Sequence, residues 1–276
     1  MQVLAQGTVQ KLVTRLDKPV SYQMPLGDSR TPLNPLIGQT VRLRYLGTIH
    51  CVHCNRLSNK SFNQGYCYPC FQRLAQCDSC IIHPEKCHFE QGTCREPSWG
   101  EEFCMQDHII YLANSSGVKV GITRATQVPT RWIDQGAVQA LPIIRVRSRL
   151  QSGMLEVMFR QHVADKTNWR DMLAEGDQIV DLKAERDQLL SLCEQDIKEL
   201  AQRFGFHAIS VLRGIEPIEI HYPVQGWPAK LETLSFDKQA LIEGTLLGIK
   251  GQYMIFDSGV INIRRFSGYD IEISSH

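Results

Sequence analysis

The sequence has no apolar run long enough to span a membrane. No stretch of the 276 residues reaches the roughly 18 uninterrupted apolar positions that a transmembrane helix needs. The first residues also lack the basic-then-apolar order of a signal peptide, and internal repeats and low-complexity tracts are absent. We therefore expect a globular cytoplasmic protein that has no membrane partner. Ten cysteines in that compartment stay reduced, which favours metal binding over disulfides.

An excess of one charge is lacking as well, since the formal net charge is +1. The balance is uneven along the chain, because residues 108–170 hold nine lysines and arginines against three acidic side chains. A locally basic segment attracts phosphates, since a ligand feels mainly the charges within about 10 Å at physiological ionic strength. The alternative is a solvated face that the acidic segment 171–210 balances, and the sequence leaves both interpretations open.

Four segments with different patterns predict an α+β protein. Residues 1–50 and 211–276 alternate apolar and polar positions between glycine and proline turns, which predicts β-rich ends. Residues 51–107 are rich in cysteine, and residues 108–210 indicate a small mixed α/β core with helices after it. Because chain termini often lie close together, we expect the two ends to form one sheet or a small barrel.

Regular elements can be assigned within the middle segment. The stretches HIIYLAN, VKVGIT and LPIIRVRS predict three strands, with a short helix near Arg131 before the third. We expect one helix over about residues 152–163 and a second over about residues 182–204, which Gly205 ends.

Four cysteines at zinc-ribbon spacing form the strongest local signal in the sequence. Cys51-x2-Cys54 and Cys67-x2-Cys70 are separated by twelve residues, and two such tight turns each offer two thiolates to a tetrahedral ion. A site of four thiolates leaves no coordination position for a substrate. We therefore expect a structural zinc ion that folds a loop-rich module.

A second set of metal-binding side chains follows the first. Its members are Cys77, Cys80, Cys87, Cys94 and Cys104, with His83, His88 and His108 interspersed. The simplest prediction is another zinc site built from Cys77 and Cys80 with two of the remainder, for which we take Cys87 and Cys94. An iron–sulfur cluster is the alternative, since thiolates at such spacings also suit iron. A third interpretation is one bound pair of thiols with the others merely buried.

A further pattern lies in the basic segment. It consists of Ile109-Ile110-Tyr111, Lys119-Val120-Gly121, Arg131, Glu156 and Asn168. This pattern resembles the core of the GIY-YIG nuclease superfamily, and particularly the module in the excinuclease of nucleotide repair. The resemblance implies two strands that carry the name motifs, an arginine on the first helix, a glutamate that holds a divalent metal, and an asparagine twelve residues beyond it. Glu156 and Asn168 have that interval.

The resemblance implies a metal-dependent phosphodiesterase site. Hydrolysis of a phosphodiester needs a base or positioned phenol at the attacking water, a metal at the phosphate and a cation for the transition state. Tyr111, Glu156 and Arg131 fit these roles, with Mg²⁺ or Mn²⁺ at Glu156. Lys119 stands where the superfamily has a tyrosine. The lysine either stabilises a phosphate or marks a domain that binds nucleic acid without cutting it.

Arginines near these motifs are candidate nucleic-acid contacts. Arg145, Arg147 and Arg149 alternate along one predicted strand, so their side chains are expected on a common face. That face is either a phosphate-binding ridge or a charged edge that protects the sheet. A further cation and two stacking surfaces come from Arg124, Trp132 and Trp169. The alternative for both tryptophans is packing in the core, where large aromatic side chains are more often found.

The order of cysteine-rich region, YLANSSGVKVGITR, LEVMF and TNWR resembles a bacterial family of domains of unknown function over most of the chain. Three functions remain as hypotheses. The first is a metal-dependent nuclease or other nucleic-acid-processing protein with structural zinc. The second is a non-catalytic DNA- or RNA-binding protein with a degenerate nuclease fold, and the third is a zinc-stabilised protein-interaction module. The sequence indicates no oligomeric state.

Overall fold

The computed structural model describes residues 1–164, 166, 168–173 and 178–276, so Thr167 of the TNWR motif lies outside the described residues. The strands are β1 Gln2–Thr8, β2 Val13–Arg15, β3 Ser21–Leu26, β4 Ser29–Pro32, β5 Thr40–Ile49, β6 His108–Asn114, β7 Val118–Arg124, β8 Gln139–Val146, β9 Ile209–Val211, β10 Ile218–Glu219, β11 Leu241–Lys250, β12 Tyr253–Phe256, β13 Gly259–Asn262 and β14 Tyr269–Ser275. The α-helices are α1 Tyr68–Arg73, α2 Pro97–Cys104, α3 Thr130–Asp134, α4 Arg149–Phe159, α5 Trp169–Met172, α6 Leu182–Leu192 and α7 Glu194–Phe204.

The helices and strands together confirm the predicted α+β class. The chain forms two compact units. The first consists mainly of residues 1–73 and 220–276, and the second mainly of residues 74–172 and 178–219. The cysteine-rich segment 51–107 therefore contributes its first four cysteines to one unit and the rest to the other. Among the described residues, no helix has the length and apolar character that a membrane span requires.

A six-stranded antiparallel sheet organises the first unit. Its order is β1-β14-β5-β11-β12-β13, so strands from both chain ends pair in one sheet, as predicted. The barrel alternative is wrong for the described strands, because they form an open path with β1 and β13 at its ends. A separate three-stranded sheet has the order β2-β3-β4.

Alternation along β5 explains how this sheet is stabilised. Val41 and Leu43 are fully buried, whereas Arg42 and Arg44 lie towards solvent between them. Arg42 Nε lies 2.7 Å from Glu243 Oε2 on the neighbouring strand β11. The strand is thus amphipathic, with an apolar face in the core and cross-strand ion pairs on the other face.

The second unit contains a smaller antiparallel sheet with the order β10-β8-β6-β7, and β9 also pairs with β8. The predicted strands of this region are found as β6, β7 and β8, and the predicted short helix as α3. All seven residues of β6 are buried, because it lies between two strands. Helices α4 and α6 pack on the sheet through a core that includes Leu155, Phe159 and Leu189.

The helix predictions need two corrections. Helix α4 starts at Arg149, three residues earlier than expected, because the Ser148 hydroxyl accepts a hydrogen bond from the Gln151 N–H and caps it. The predicted long helix over 182–204 is two helices that are broken at Cys193. The thiol of Cys193 is buried in the core at the break, whereas α7 beyond it has no fully buried residue.

Candidate functional site

The first four cysteines meet in a compact group within the first unit. The sulfur atoms of Cys51, Cys54, Cys67 and Cys70 all lie within 4.8 Å of one another, and the Cys54 and Cys67 sulfurs are 3.7 Å apart. A tetrahedral zinc ion with bonds of about 2.3 Å requires sulfur separations of about 3.8 Å. The group is therefore compact enough for all four thiols to bind one zinc-like ion.

Two backbone turns position these thiols. Asn55 has a left-handed conformation with φ of 57°, and its N–H donates to the Cys51 carbonyl at 2.8 Å. The second turn leads into α1, where the Phe71 N–H donates to the Cys67 carbonyl. The Val52 N–H donates to Gly65 O at 2.9 Å and ties the two turns together. Local turn geometry therefore brings each pair of thiols together.

The electrostatics of the group indicate that it is suited to a cation. Burial opposes ionisation of Cys51, but backbone N–H groups of the two turns outweigh it and lower the pKa of this thiol to about 6. Burial and the neighbouring thiols raise the pKa of Cys70. Because the four sulfurs lie so close together, thiolates at all four positions would repel one another. A bound dication would neutralise that repulsion.

Tyr111 lies in a separate cluster in the second unit. Its hydroxyl donates to Gln135 Oε1 at 2.7 Å, and the Arg131 guanidinium acts to lower the pKa of the phenol. Its ring packs edge-on against Trp132, with centroids 5.8 Å apart. Gly121 is directly opposite on β7, and a Cβ there would lie 2.7 Å from the Tyr111 hydroxyl, so only glycine leaves room for the phenol.

Burial controls the chemistry of this phenol. Tyr111 is fully buried, and burial raises its pKa to about 12. The Arg131 guanidinium opposes the rise, and the Glu156 carboxylate on α4 adds to it. Arg131 and Glu156 are both half-buried, so each side chain is more exposed than the phenol. These three side chains, distant in sequence, interact electrostatically.

The remaining residues of the GIY-YIG-like pattern have other surroundings. Lys119 on β7 is opposite Ala113 on β6, so it lies on the same face of the sheet as Tyr111. Its side chain is only 3% exposed. Asn168 is exposed, and its amide oxygen accepts a hydrogen bond from the Arg170 N–H at 3.1 Å. Asn168 thus caps the short helix α5. Its role at a metal stays a prediction.

The second cysteine set surrounds a cavity in the second unit. Four thiols line it, those of Cys80, Cys87, Cys94 and Cys104. Cys77 is buried but is not among the lining residues, so it does not share this cavity, and metal binding by the second set stays a prediction. The reason is structural: Cys77 ends one 3₁₀ turn, whereas Cys104 ends helix α2, which packs over the cavity.

Comparison with known proteins identifies the family. A family model described as "Protein of unknown function (DUF2797)" matches residues 38–271, which is most of the chain. The chain belongs to the DUF2797 family. No curated protein and no solved structure matches it significantly.

The DUF2797 match includes both cysteine sets and the Tyr111 cluster, but it assigns none of them a role. The predicted arginine ridge is wrong at one member. Strand β8 ends at Val146, and Arg145 and Arg147 are exposed beside its end. Arg149 instead begins α4 and donates from Nη2 to the Ile81 carbonyl at 2.8 Å. Its Nε donates to the Cys80 carbonyl at 3.3 Å.

Arg124 and the tryptophans also have defined neighbours in this DUF2797 protein. The Arg124 guanidinium lies 4.7 Å from the Phe103 ring centroid, and burial lowers its pKa. Trp132 is fully buried against Tyr111, as expected for core packing. Trp169 is half-buried and packs against the Arg170 guanidinium at 4.5 Å. Contact of these residues with nucleic acid stays a prediction.

Sequence reasoning missed Gln135 and the packing role of Gly153. Gln135 gave no motif signal, since it is an ordinary polar residue after α3. Gly153 did give one, because a glycine inside a helix often marks a close approach. A Cβ at Gly153 would lie 2.2 Å from the Glu85 backbone nitrogen, so α4 packs directly on the second cysteine segment.

Proposed function

We propose that this DUF2797 protein processes nucleic acids by metal-dependent hydrolysis of a phosphodiester bond, with a structural zinc ion at the first four cysteines. One observation carries the proposal: the Tyr111 phenol interacts with both Arg131 and Glu156, although the three residues come from a strand and two different helices. The same three residue types form the catalytic pattern that the sequence resembles. A donor, a cation and a carboxylate together are the groups that phosphodiester hydrolysis needs.

The chain's own residues would divide the work as follows. With a pKa of about 12, Tyr111 stays protonated at neutral pH, so it would act not as a base but as a hydrogen-bond donor, once its one proton turns from Gln135 Oε1 towards the attacking water. Arg131 stabilises negative charge on the phosphate. Glu156 would hold Mg²⁺ or Mn²⁺, and one half-buried carboxylate completed by waters is a normal set for such an ion. The ion would supply Lewis-acid stabilisation of the phosphate oxygens.

A second candidate function is binding of nucleic acid without cleavage. Two observations favour it: Tyr111 is fully buried, and Lys119, which replaces the second tyrosine, is only 3% exposed. Neither side chain reaches solvent as it stands. The exposed Arg145 and Arg147 would then contact phosphates directly.

The decisive experiment compares Glu156→Gln with wild type. The purified full-length chain is incubated with single-stranded DNA, duplex DNA, flap DNA and transfer RNA, in Mg²⁺ and in Mn²⁺. We expect Glu156→Gln to abolish cleavage and to leave binding nearly unchanged, because the change keeps size but removes the metal-binding charge. Arg131→Ala should slow cleavage roughly a hundredfold, which corresponds to about 3 kcal/mol of transition-state stabilisation.

Glu185→Gln is the matched control, since Glu185 is an exposed helix carboxylate in the same unit. It should cleave like wild type. Changing Arg145 and Arg147 together to Ala should weaken binding and flatten its salt dependence. Salt-dependent binding with no cleavage by wild type would select the second candidate. Absence of binding at low salt would contradict both and leave the protein-interaction module.

A further inference from the structure

A carboxylate, a thiol and an imidazole meet in the second unit, away from the first four cysteines. We propose that Asp78, Cys80 and His88 bind a single zinc ion. One ligand atom from each of the three, an oxygen, a sulfur and a nitrogen, lies within 4.8 Å of the other two. The site shares no residue with the Tyr111 cluster and does not depend on the proposed hydrolysis.

The three side chains line one small cavity. Its volume of about 10 Å³ is room for about one water molecule, and therefore for one ion. An iron–sulfur cluster of several atoms does not fit this space. Cys80 is only 8% exposed, and the side chains of Asp78 and His88 are 11% and 25% exposed. The three donors thus surround a space of the right size that is largely closed to solvent.

The donor types and their separations suit a mononuclear zinc site. Asp78 Oδ2 and His88 Nε2 are 3.6 Å apart. On a tetrahedral zinc ion with bonds of about 2.0–2.2 Å, such an oxygen and nitrogen are about 3.4 Å apart. Magnesium and calcium prefer ligand sets made of oxygen, whereas zinc accepts carboxylate, imidazole and thiolate together. The mixed set therefore favours zinc.

A hydrogen bond with Thr93 fixes the tautomer of His88. Thr93 Oγ1 lies 2.8 Å from His88 Nδ1, and the Thr93 hydroxyl donates to the His88 carbonyl oxygen at 3.4 Å. Because the one hydroxyl hydrogen is used there, Oγ1 accepts from the Nδ1–H of the imidazole. Nε2 of the neutral ring then carries a lone pair and faces an oxygen of Asp78. A cation between these two atoms removes their repulsion, and metal-binding histidines are oriented in this way.

Asp78 is held by its own hydrogen bonds. Arg95 Nε lies 2.7 Å from Asp78 Oδ2, and the Ser79 hydroxyl donates to Oδ1 at 3.2 Å. An ionised carboxylate has about four lone-pair sites, so these two partners leave room for an ion. Carboxylates that bind metals usually have such partners, which orient them. A thiolate at Cys80 adds a second negative charge, and the two anions together neutralise a dication.

Donors for the fourth coordination position lie at the same cavity. A tetrahedral zinc ion takes four ligands, and three further thiols line the cavity, those of Cys87, Cys94 and Cys104. Arg149 donates to the Cys80 carbonyl at 3.3 Å and holds the turn that carries Cys80. Closure by one of these thiols makes this a structural site, like the group of four cysteines in the first unit.

The test counts metal ions in the full-length chain purified from cells grown with zinc. We expect about two zinc ions per chain, one at each site. His88→Ala should retain about one, because the second ion loses a ligand while the first four cysteines are intact. Cys54→Ser should also retain about one. The double variant should retain none, which shows that the two ions occupy different sites.

His83→Ala is the matched control, since His83 is an exposed histidine of the same segment that pairs with Glu85. It should retain both ions. Cys77→Ser should retain both as well, because Cys77 does not line the cavity. This second control separates the proposed ligands from the set predicted from spacing, which includes Cys77.

Thr93→Val tests the orientation of His88 without removing a ligand. Thr93 is exposed, so the substitution leaves the core intact. We expect the affinity for the second zinc ion to fall about tenfold or more in chelator competition, and Thr93→Ser to restore it. Unchanged affinity in Thr93→Val would contradict the assigned tautomer.

Two zinc ions in His88→Ala would overturn the proposal. So would a wild-type chain that holds one zinc ion and takes up no second ion from added zinc. Loss of the second ion in Cys77→Ser together with its retention in His88→Ala would assign the metal to the other ligand set.

Discussion

At the scale of single residues, burial of His108 makes the stability of the fold depend on pH. It begins β6, is 1% exposed, and its Nδ1 lies 2.8 Å from the Gln106 carbonyl oxygen. Its Nε2 has no hydrogen-bond partner among the described atoms. Burial lowers its pKa from 6.5 to about 4, so the imidazole stays neutral in the folded protein.

This lowered pKa predicts a loss of stability in acid. Below pH 6.5 the unfolded chain takes up a proton that the folded chain refuses until about pH 4, so stability present above pH 6.5 is lost as the pH falls. The loss between pH 6.5 and about pH 4.5 should be roughly 2 kcal/mol from this residue. His108→Asn keeps a donor for the Gln106 carbonyl but does not titrate.

We therefore expect the free energy of unfolding of His108→Asn to fall less steeply over this range, as measured by urea unfolding at the two pH values. His207→Asn, on the surface, controls for the loss of one imidazole. Equal acid losses in wild type and in His108→Asn would refute the assignment.

At the scale of elements, helix α4 links the Tyr111 cluster to the second cysteine set. It carries Glu156 on one side and begins with Arg149, which donates to carbonyls of the cysteine segment. Gly153 lets the helix approach the 3₁₀ turn Pro84–Lys86, where a Cβ would lie 2.4 Å from the Pro84 carbonyl carbon. The position of Glu156 therefore depends on the packing of the cysteine segment.

Gly153→Ala tests this packing because two effects have opposite signs. In an unpacked helix, replacing glycine by alanine stabilises by about 1 kcal/mol. Here the added methyl group meets backbone atoms, so we expect destabilisation by about 2 kcal/mol in urea unfolding. Gly214→Ala, where the added atom meets open space, should change stability little. A stabilised Gly153→Ala protein would show that α4 does not pack as described.

At the scale of the whole molecule, the group of Cys51, Cys54, Cys67 and Cys70 is joined to the six-stranded sheet. Cys51 follows β5 by two residues, and the His50 N–H donates to Gly268 O just before β14. The two turns that hold these cysteines thus continue the β5–β14 pairing, which is the most extensive contact between the described strands of the first unit. Structural zinc contributes on the order of 10 kcal/mol to small fingers, so its loss should affect this pairing.

We expect Cys54→Ser to lower hydrogen-exchange protection of β5 and β14 at least about tenfold, together with loss of zinc. Cys54 is the exposed thiol of the four, so the substitution itself leaves no cavity. Chelation of zinc from wild type should reproduce the pattern, and Cys77→Ser should not. Wild-type exchange and zinc content in Cys54→Ser would rule out a structural metal at this group.

Much of the architecture could be predicted because its signals are local. Alternation and turn residues located β6, β7 and β8, and the pairing of the two chain ends followed from their shared β pattern. The break at Cys193 could not be predicted, because the apolar periodicity of the sequence continues through this position. The misplaced Arg149 has a similar cause, since a serine cap starts α4 where alternation alone continues the strand.

By itself, the sequence determined which four cysteines form the first group, because two short turns bring each pair of thiols together and the spacing of the pairs matches that of zinc ligands. Only the tertiary structure decided which thiols of the second set share a cavity, and that Cys104 belongs there and Cys77 does not. It also decided that Tyr111 is buried while it interacts with Arg131 and Glu156. These arrangements depend on packing between elements distant in sequence, which residue spacing does not encode.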